Sequence, residues 1–369
     1  MTYLIRTNSL DSDERFVKTL RFLEQCHQEV LVFGVVKALS SNGCDFIERR
    51  LRLRRSLPSG RLVLLKYVEL LGLSAWFLVR HRGRRWFANF DFLPLQVLST
   101  LFSRRRTRPI WDLHEMPPAF VMENLFLRLI FAFLLKRSHV VVCNKARRDA
   151  LELAFGVSLQ DALILRNYPG KVARQQLVEA RKNHIAVTTP REDLLTIVIV
   201  GGDMPGRYVE ESIQAIAELR SELGLDIRVS LVGGAPLASA PEFVSSTGFI
   251  PFRELVARCV KGGISLCFYR MDTLNNVLCE PNRFYQGLLA GQFVITFAHP
   301  SLEQFKPPQR RIIDEANFHR SLKDVLDALF VERNGVSSTP TSGFEAVSDS
   351  FVFEKQLPDF RQWLLRACQ

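Results

Sequence analysis

Short runs rich in valine, isoleucine and leucine alternate along this chain with longer segments whose apolar residues recur at helical spacing. The first pattern suits strands covered on both sheet faces, and the second suits helices with one buried face. In the first half, strands are predicted in EVLVFGVV (29–36), RPIWDLHE (108–115), HVVVCN (139–144) and DALILRNYP (161–169), with helices over ERFVKTLRFLEQ and KARRDALELAF. GKVARQQLVEARKNHIAVTTPRED is polar and poor in aromatics, and is expected to be a linker. A second series follows: LLTIVIVGG (194–202), DIRVSLVGG (226–234), GGISLCFYR (262–270) and QFVITF (292–297), with helical segments between them. FEKQLPDFRQWLLRACQ reads as a terminal amphipathic helix. Strand–helix alternation in both halves predicts two doubly wound α/β domains facing a cleft. The expected boundaries are 1–170, a linker over 171–193, 194–345, and a helical segment over 346–369 able to cross back to the first domain.

Composition narrows the class. A chain of 369 residues exceeds one ordinary core. Its 47% hydrophobic content and 28 phenylalanines exclude a disordered protein. The 7 cysteines are odd in number and scattered, with no Cys-x-x-Cys pair. That argues against a disulfide framework or a zinc site and for a reducing compartment. MTYLIRTNSLDSDERF holds no apolar signal core, so the expected location is cytoplasmic.

Charge adds a second feature. The net charge is +11, yet Arg49–Arg108 holds fifteen Lys and Arg against only Glu69 and Asp91, leaving the rest of the chain slightly acidic. Its basic blocks RRLRLRR, RHRGRR and RRRTR are separated by LVLLKYVELLGLSAWFLV and FLPLQVLSTLF. A membrane span needs about 20 mostly apolar residues, and charges interrupt the longer runs, including AFVMENLFLRLIFAFLL. Basic and apolar residues interleaved in this way fit a chain lying against an anionic membrane surface, peripheral at the inner face of the cell membrane. Buried helices joined by solvated arginine loops fit the same pattern. No nucleic-acid-binding motif accompanies the charge, so nucleic acid is not an expected partner.

Candidate chemistry gathers in three loops of the second half, each after a strand and ahead of a helix. VGGDMPGRYVEES carries Gly201, Gly202 and Arg207; STGFIPFRE carries Gly248 and Phe249; EPNRFYQG carries Asn282 and Arg283. A helix start offers unpaired N–H groups and a partial positive charge, and glycine lets the backbone approach a ligand. Two arginines from separate loops could clamp a diphosphate. Singly, each loop is also an ordinary turn, and Asn282 an ordinary helix cap.

Order and spacing shift the balance between these readings. Through WDLHEMPP, RSHVVVCNKARRDAL, ILRNYP, IVGGDMPGRYVEESIQAI, VSLVGG, STGFIPFRELVARCVKGGISLCFYR and above all NNVLCEPNRFYQGLLAGQFVIT, the sequence resembles the family 4-like glycosyltransferases of GT-B fold (glycosyl transferases group 1). The resemblance implies two Rossmann-like domains and a nucleotide-diphosphate-sugar as donor substrate, with no cofactor and no metal. It implies a glycan or lipid-linked acceptor, in polysaccharide or glycolipid biosynthesis. By motif, Gly201 and Gly202 would approach the diphosphate and Arg207 would pair with it. Phe249 and Ile250 would lie near the base. Asn276, Glu280, Pro281 and Asn282 would face sugar and phosphates, with Arg283 as second phosphate cation and Glu280 a catalytic candidate. Gln286 stands where many relatives have a ribose-binding Glu, and Leu278 where many have another. His114 would touch the donor sugar or departing phosphate, flanked by Asp112 and Glu115 on the acceptor side. The only Asp-x-Asp, Asp11 and Asp13, precedes a helix and reads as a cap.

The implied reaction is hexosyl transfer with retention, the departing phosphate assisting deprotonation of the acceptor. Two rivals stand beside it: a nucleotide-sugar epimerase of the same fold, and a degenerate, membrane-associated scaffold suggested by Gln286 and Leu278.

Overall fold

In the computed structural model the described residues are 1–7, 13–36, 51–55, 83–103, 108–185, 195–201, 206–234, 239–248, 250–335 and 351–368, with isolated positions between 68 and 80 and at 237. The chain divides into two compact units, Met1–Arg166 with Glu354–Gln369, and Asn167–Phe353.

The first unit holds a seven-stranded sheet in the order β3-β2-β1-β4-β5-β6-β7. Its strands are β1 (Thr2–Thr7), β2 (Leu31–Val36), β3 (Leu51–Arg55), β4 (Arg85–Ala88), β5 (Ile110–Leu113), β6 (His139–Val142) and β7 (Leu163–Ile164), all paired in parallel. Helices α1 (Glu14–Gln25), α2 (Leu93–Leu101), α3 (Ala119–Glu123), α4 (Leu125–Arg137) and α5 (Lys145–Phe155) belong to it. So does the final helix, α12 (Leu357–Cys368). Phe360 of α12 packs against Phe22 and Trp86, and Trp363 donates its indole N–H to Asp161 O at 2.9 Å. The chain thus closes the first unit with its last helix.

The second unit repeats the winding in six strands, β10-β9-β8-β11-β12-β13. These are β8 (Thr196–Val200), β9 (Arg228–Val232), β10 (Val244–Thr247), β11 (Ile264–Leu266), β12 (Phe293–Thr296) and β13 (Arg310–Ile312), again parallel. Its α-helices among the described residues are α6 (Lys171–Ile185), α7 (Val209–Leu223), α8 (Phe252–Lys261), α9 (Leu274–Val277), α10 (Asn282–Leu289) and α11 (Phe318–Gly335). Alternation along β8 shows why these strands read as continuous apolar runs. Ile197 and Ile199 join a core with Ile213, Ile216 and Leu322, while Val198 joins Val256, Val260 and Leu289 on the other face.

Residues 171–185, expected as a linker, are helical. The stretch is polar but built of good helix formers, and it buries Leu177 and Arg181 against α8 and α10. β3 was hidden inside a basic block: the Leu/Arg alternation of LRLRR is a strand pattern, and β3 forms the sheet edge beside β2. Most of Arg49–Arg108 outside β3, β4 and α2 falls outside the described residues, including RRRT at 104–107. No helix among the described residues is long and apolar enough to cross a membrane.

Candidate functional site

In a doubly wound sheet, ligands sit beyond the carboxyl ends of the strands where the strand order reverses. In the second unit that point lies between β8 and β11, and Arg283 occupies it. Arg283 is buried and donates Nη1 to Val200 O at 2.9 Å and Nη2 to Phe268 O, so one guanidinium ties the ends of the two strands together. Its Cζ lies 4.3 Å from the centre of the Tyr269 ring. Arg207 approaches the same ring at 5.2 Å and donates Nη1 to Gly201 O at 3.2 Å. A methyl group on Gly201 would lie 1.9 Å from Arg207 Nη1 and 3.7 Å from Arg283 Nη1. The two guanidiniums therefore converge on the Gly201 backbone with Tyr269 as a shared platform. Burial, and next the Arg283 charge, push the Arg207 pKa down. Two cations held this close raise the local potential and favour an anion.

Local sequence explains the geometry. Gly201, directly after β8, has φ +108°, a conformation that side-chain-bearing residues rarely adopt. Arg207 sits on a turn clamped from both sides. Arg270 N–H donates to Gly206 O at 2.7 Å, and Tyr208, at φ +57°, donates its hydroxyl to Glu315 at 2.6 Å while stacking on Phe318. Glu315 also accepts the Met271 N–H at 2.9 Å. Arg283 is brought down by Gly287, one helical turn later on the same face. A methyl there would lie 2.9 Å from Val294 Cγ2 and 3.1 Å from Ser265 Cβ, so only glycine lets α10 sit this close to the sheet.

Neither α7 nor α10 has a side-chain cap at its N-terminus. The sequence suggested Asn282 as a cap, but Pro281 takes the cap position and Asn282 is the exposed first helical residue. Proline fixes φ and is well suited to a helix entry, which leaves the first-turn N–H groups without a side-chain acceptor. Gln286, one turn after Asn282, is half-buried on the same side of α10.

The loop before α10 is held from behind. Ser301 donates its hydroxyl to Cys279 O, and His299 Nδ1 lies 3.4 Å from Val277 O. Burial pushes the His299 pKa down to about 4, so the ring is neutral. Asn276 is half-buried and donates to Asp272 at 3.3 Å. Glu280 is buried and accepts the Tyr285 hydroxyl at 2.7 Å. That places its carboxylate beside the aromatic cluster of Tyr285, Tyr168 and Phe351. Leu278 is a buried apolar residue. Ile250 is half-buried just ahead of α8, whereas Gly202 and Phe249 lie outside the described residues.

In the first unit, His114 follows β5 and its Nε2 lies 3.1 Å from Asp112 Oδ2. Its backbone is fixed by Asn89, whose Oδ1 accepts the His114 N–H at 2.9 Å, and by Arg147, which donates to His114 O. Asp112 has no exposed surface and pairs with the buried Arg15 at 2.8 Å. Burial by itself would raise its pKa, but Arg15 and His114 outweigh it and hold the carboxyl well below the usual range. Asp112 thus stands behind His114, in position to orient it, while Glu115 is exposed.

Asp13 caps α1, accepting the Phe16 N–H at 3.0 Å, and Asp11 lies outside the described residues. No cluster of three or more His, Cys, Asp or Glu able to hold a metal occurs among the described residues. Tyr269, Tyr208 and Asn89 escaped the sequence reading. Tyr269 lies inside the predicted strand GGISLCFYR (262–270), where it reads as one more core aromatic, and the positive φ of Tyr208 and Asn89 is visible only in the structure.

No protein-family model and no curated protein matches the sequence. Solved structures do. Anabaena Alr3699/HepE, determined with UDP-glucose, is 11% identical over 100% of both chains, with a TM-score of 0.67. Sucrose-phosphate synthase from Thermosynechococcus elongatus is 12% identical over 99% of this chain and 98% of its own, at 0.66. An α,α-trehalose-phosphate synthase (UDP-forming) from Burkholderia vietnamiensis is 11% identical over 99% and 98%, at 0.67. Identity this low carries shape rather than residues, and the shape is that of the GT-B glycosyltransferases: this chain has the GT-B fold, built of two Rossmann-like domains.

Proposed function

We propose that this protein is a hexosyltransferase-like glycosyltransferase, moving a sugar from a nucleotide-diphosphate-sugar to a glycan or lipid-linked acceptor. The observation that carries the reading is the convergence of Arg207 and Arg283 on Gly201, at the reversal point of the second sheet and beside an uncapped helix start. As the anomeric bond breaks, negative charge grows on the departing diphosphate. Cations and N–H groups already fixed in place stabilise that charge without rearranging. The same cations could neutralise the diphosphate without a metal. Retention, with the departing phosphate assisting the acceptor hydroxyl, follows from the family resemblance, as does the contact assigned to His114. Glu280 is the weaker catalytic candidate, because Tyr285 engages its carboxylate. The structures of HepE with UDP and with UDP-glucose make uridine diphosphate sugars the first donors to try. WaaG, described as involved in lipopolysaccharide biosynthesis and 12% identical at a TM-score of 0.64, makes glycolipid or polysaccharide assembly a fitting setting. The basic first half suits a cytoplasmic protein peripheral to the membrane.

Release of free nucleotide from a panel of UDP-, GDP- and dTDP-sugars, with and without a glycan or lipid-linked acceptor, tests the reaction. Acceptor-dependent release supports transfer. Sugar inversion without an acceptor would assign an epimerase instead.

Substitutions at two positions probe the pocket. Tyr269→Ala removes a cation–π platform worth about 0.5–2 kcal/mol, so nucleoside diphosphate affinity should fall about 3–30-fold by calorimetric titration, while Tyr269→Phe stays near the parent. Gly201→Ala combines two effects: backbone strain of about 1–3 kcal/mol, and a methyl group that must push Arg207 aside. Thermal unfolding and titration should both register it, and parental values in both would remove Gly201 from the site.

A further inference from the structure

The first unit carries an apolar face that the donor chemistry does not use. Phe120, Leu125, Phe126 and Leu129 are 61–70% exposed. Helix α4 is apolar nearly all round: Phe131, Leu134 and Leu135 are buried on one side, and helical spacing places Leu125, Leu129 and Lys136 in one stripe on the other, with Phe126 beside them. Arg128 and Arg137, both exposed, fall on opposite flanks of that stripe. α2 packs against α4 and exposes Leu98 and Leu101, with Phe102 just beyond its end. The chain then continues into RRRTR.

A helix with apolar residues on both faces belongs in a core or in lipid. At 13 residues α4 is too short to span a bilayer, which needs about 20. It can instead lie in the interface plane, with its side chains in the acyl boundary and the flanking cations reaching the headgroups. The charges also choose the occupant. Between Ala119 and Arg137 the only acid is Glu123. A two-fold contact through this face would gather Arg128, Lys136 and Arg137 of both copies around one apolar patch, setting like charges against each other. An anionic headgroup layer meets the same cations with opposite charge.

We propose that the α3–α4 face docks the protein on an anionic bilayer. Taken with the transferase reading, on which this last clause rests, it makes the acceptor a lipid-linked sugar presented at the membrane surface.

The test is flotation of the full chain with vesicles of phosphatidylcholine, with and without phosphatidylglycerol, at physiological salt. The parent is expected to float with the anionic vesicles only. Leu125→Ser/Phe126→Ser/Leu129→Ser changes exposed residues and should cut partitioning about tenfold or more; Lys136→Glu/Arg137→Glu should do the same. Both variants should keep the parental melting temperature and nucleotide affinity. The proposal is overturned if the parent stays with the aqueous fraction, or if both variants float as the parent does. A dimer that the triple variant dissociates, with no vesicle binding by the parent, would assign the face to a second copy. Nucleotide titration is read separately, so failure of docking and failure of donor binding are distinguishable.

Discussion

Arg283→Lys is expected to weaken nucleoside diphosphate binding by about 10–100-fold, and to lower turnover at least as much. Charge-assisted hydrogen bonds contribute about 1.5–3 kcal/mol, and each 1.4 kcal/mol is tenfold. Lysine keeps the positive charge but loses the planar fork. Arg283 uses that fork to bridge Val200 O and Phe268 O while its face lies against Tyr269. An ammonium group cannot hold both strand ends and still present a fixed donor to a phosphate. Arg283→Ala is the harsher variant: it removes both bonds from the buried strand ends and should also cost about 1–3 kcal/mol of stability. The lysine variant is therefore the cleaner probe, read by calorimetric titration beside a thermal melt. A folded Arg283→Lys protein with parental affinity and turnover would take Arg283 out of the phosphate site.

Asp112→Asn is expected to give the largest loss of stability, about 3–5 kcal/mol, because it strands the buried Arg15 charge. Arg15 also donates to Leu165 O at 2.6 Å, so the pair ties α1, β5 and the chain after β7 together. The pH dependence has a definite sign. The Asp112 carboxyl is held below its unfolded-chain value, so its contribution is fully present above that value, about 3.9, and is lost as pH falls through the lower native one. Denaturant unfolding should therefore show a parent–variant gap that is constant near neutrality and closes in acid. A gap below 1 kcal/mol at neutral pH would mean that Arg15 finds other compensation.

Much of this fold was legible because buried parallel strands need apolar side chains on both faces. Val198, between Ile197 and Ile199, could be read at once, and α1 and α5 fell where their periodicity put them. What escaped includes the short strands TYLIRT, RWFA and RRI of β1, β4 and β13, and elements whose chemistry masked their geometry. LRLRR drew attention as charge rather than as an edge strand, and VSST of β10 is too polar to read as one. KVARQQLVEARKNHI showed weak amphipathicity because α6 buries few of its residues, among them Leu177 and Arg181.

The site divides in the same way. Gly201, Arg207 and Arg283 were legible because glycine after a strand and arginine at a helix start have a known physical use. Tyr269 was not, because nothing in ISLCFYR distinguishes a platform for two guanidiniums from a core aromatic. Glu280 shows the converse. As a carboxylate in a polar turn it suggested chemistry, yet Tyr285, five residues on, engages it from inside the fold. Spacing gave the turn but not the direction in which its side chains point.

The most direct measurement is calorimetric titration of UDP and other nucleoside diphosphates into the parent, Arg207→Ala and Arg283→Lys proteins. Saturable binding to the parent, weakened about tenfold or more in each folded variant, is the predicted result. No binding of any diphosphate to the parent, or binding that both variants retain in full, would contradict a diphosphate held between these two arginines.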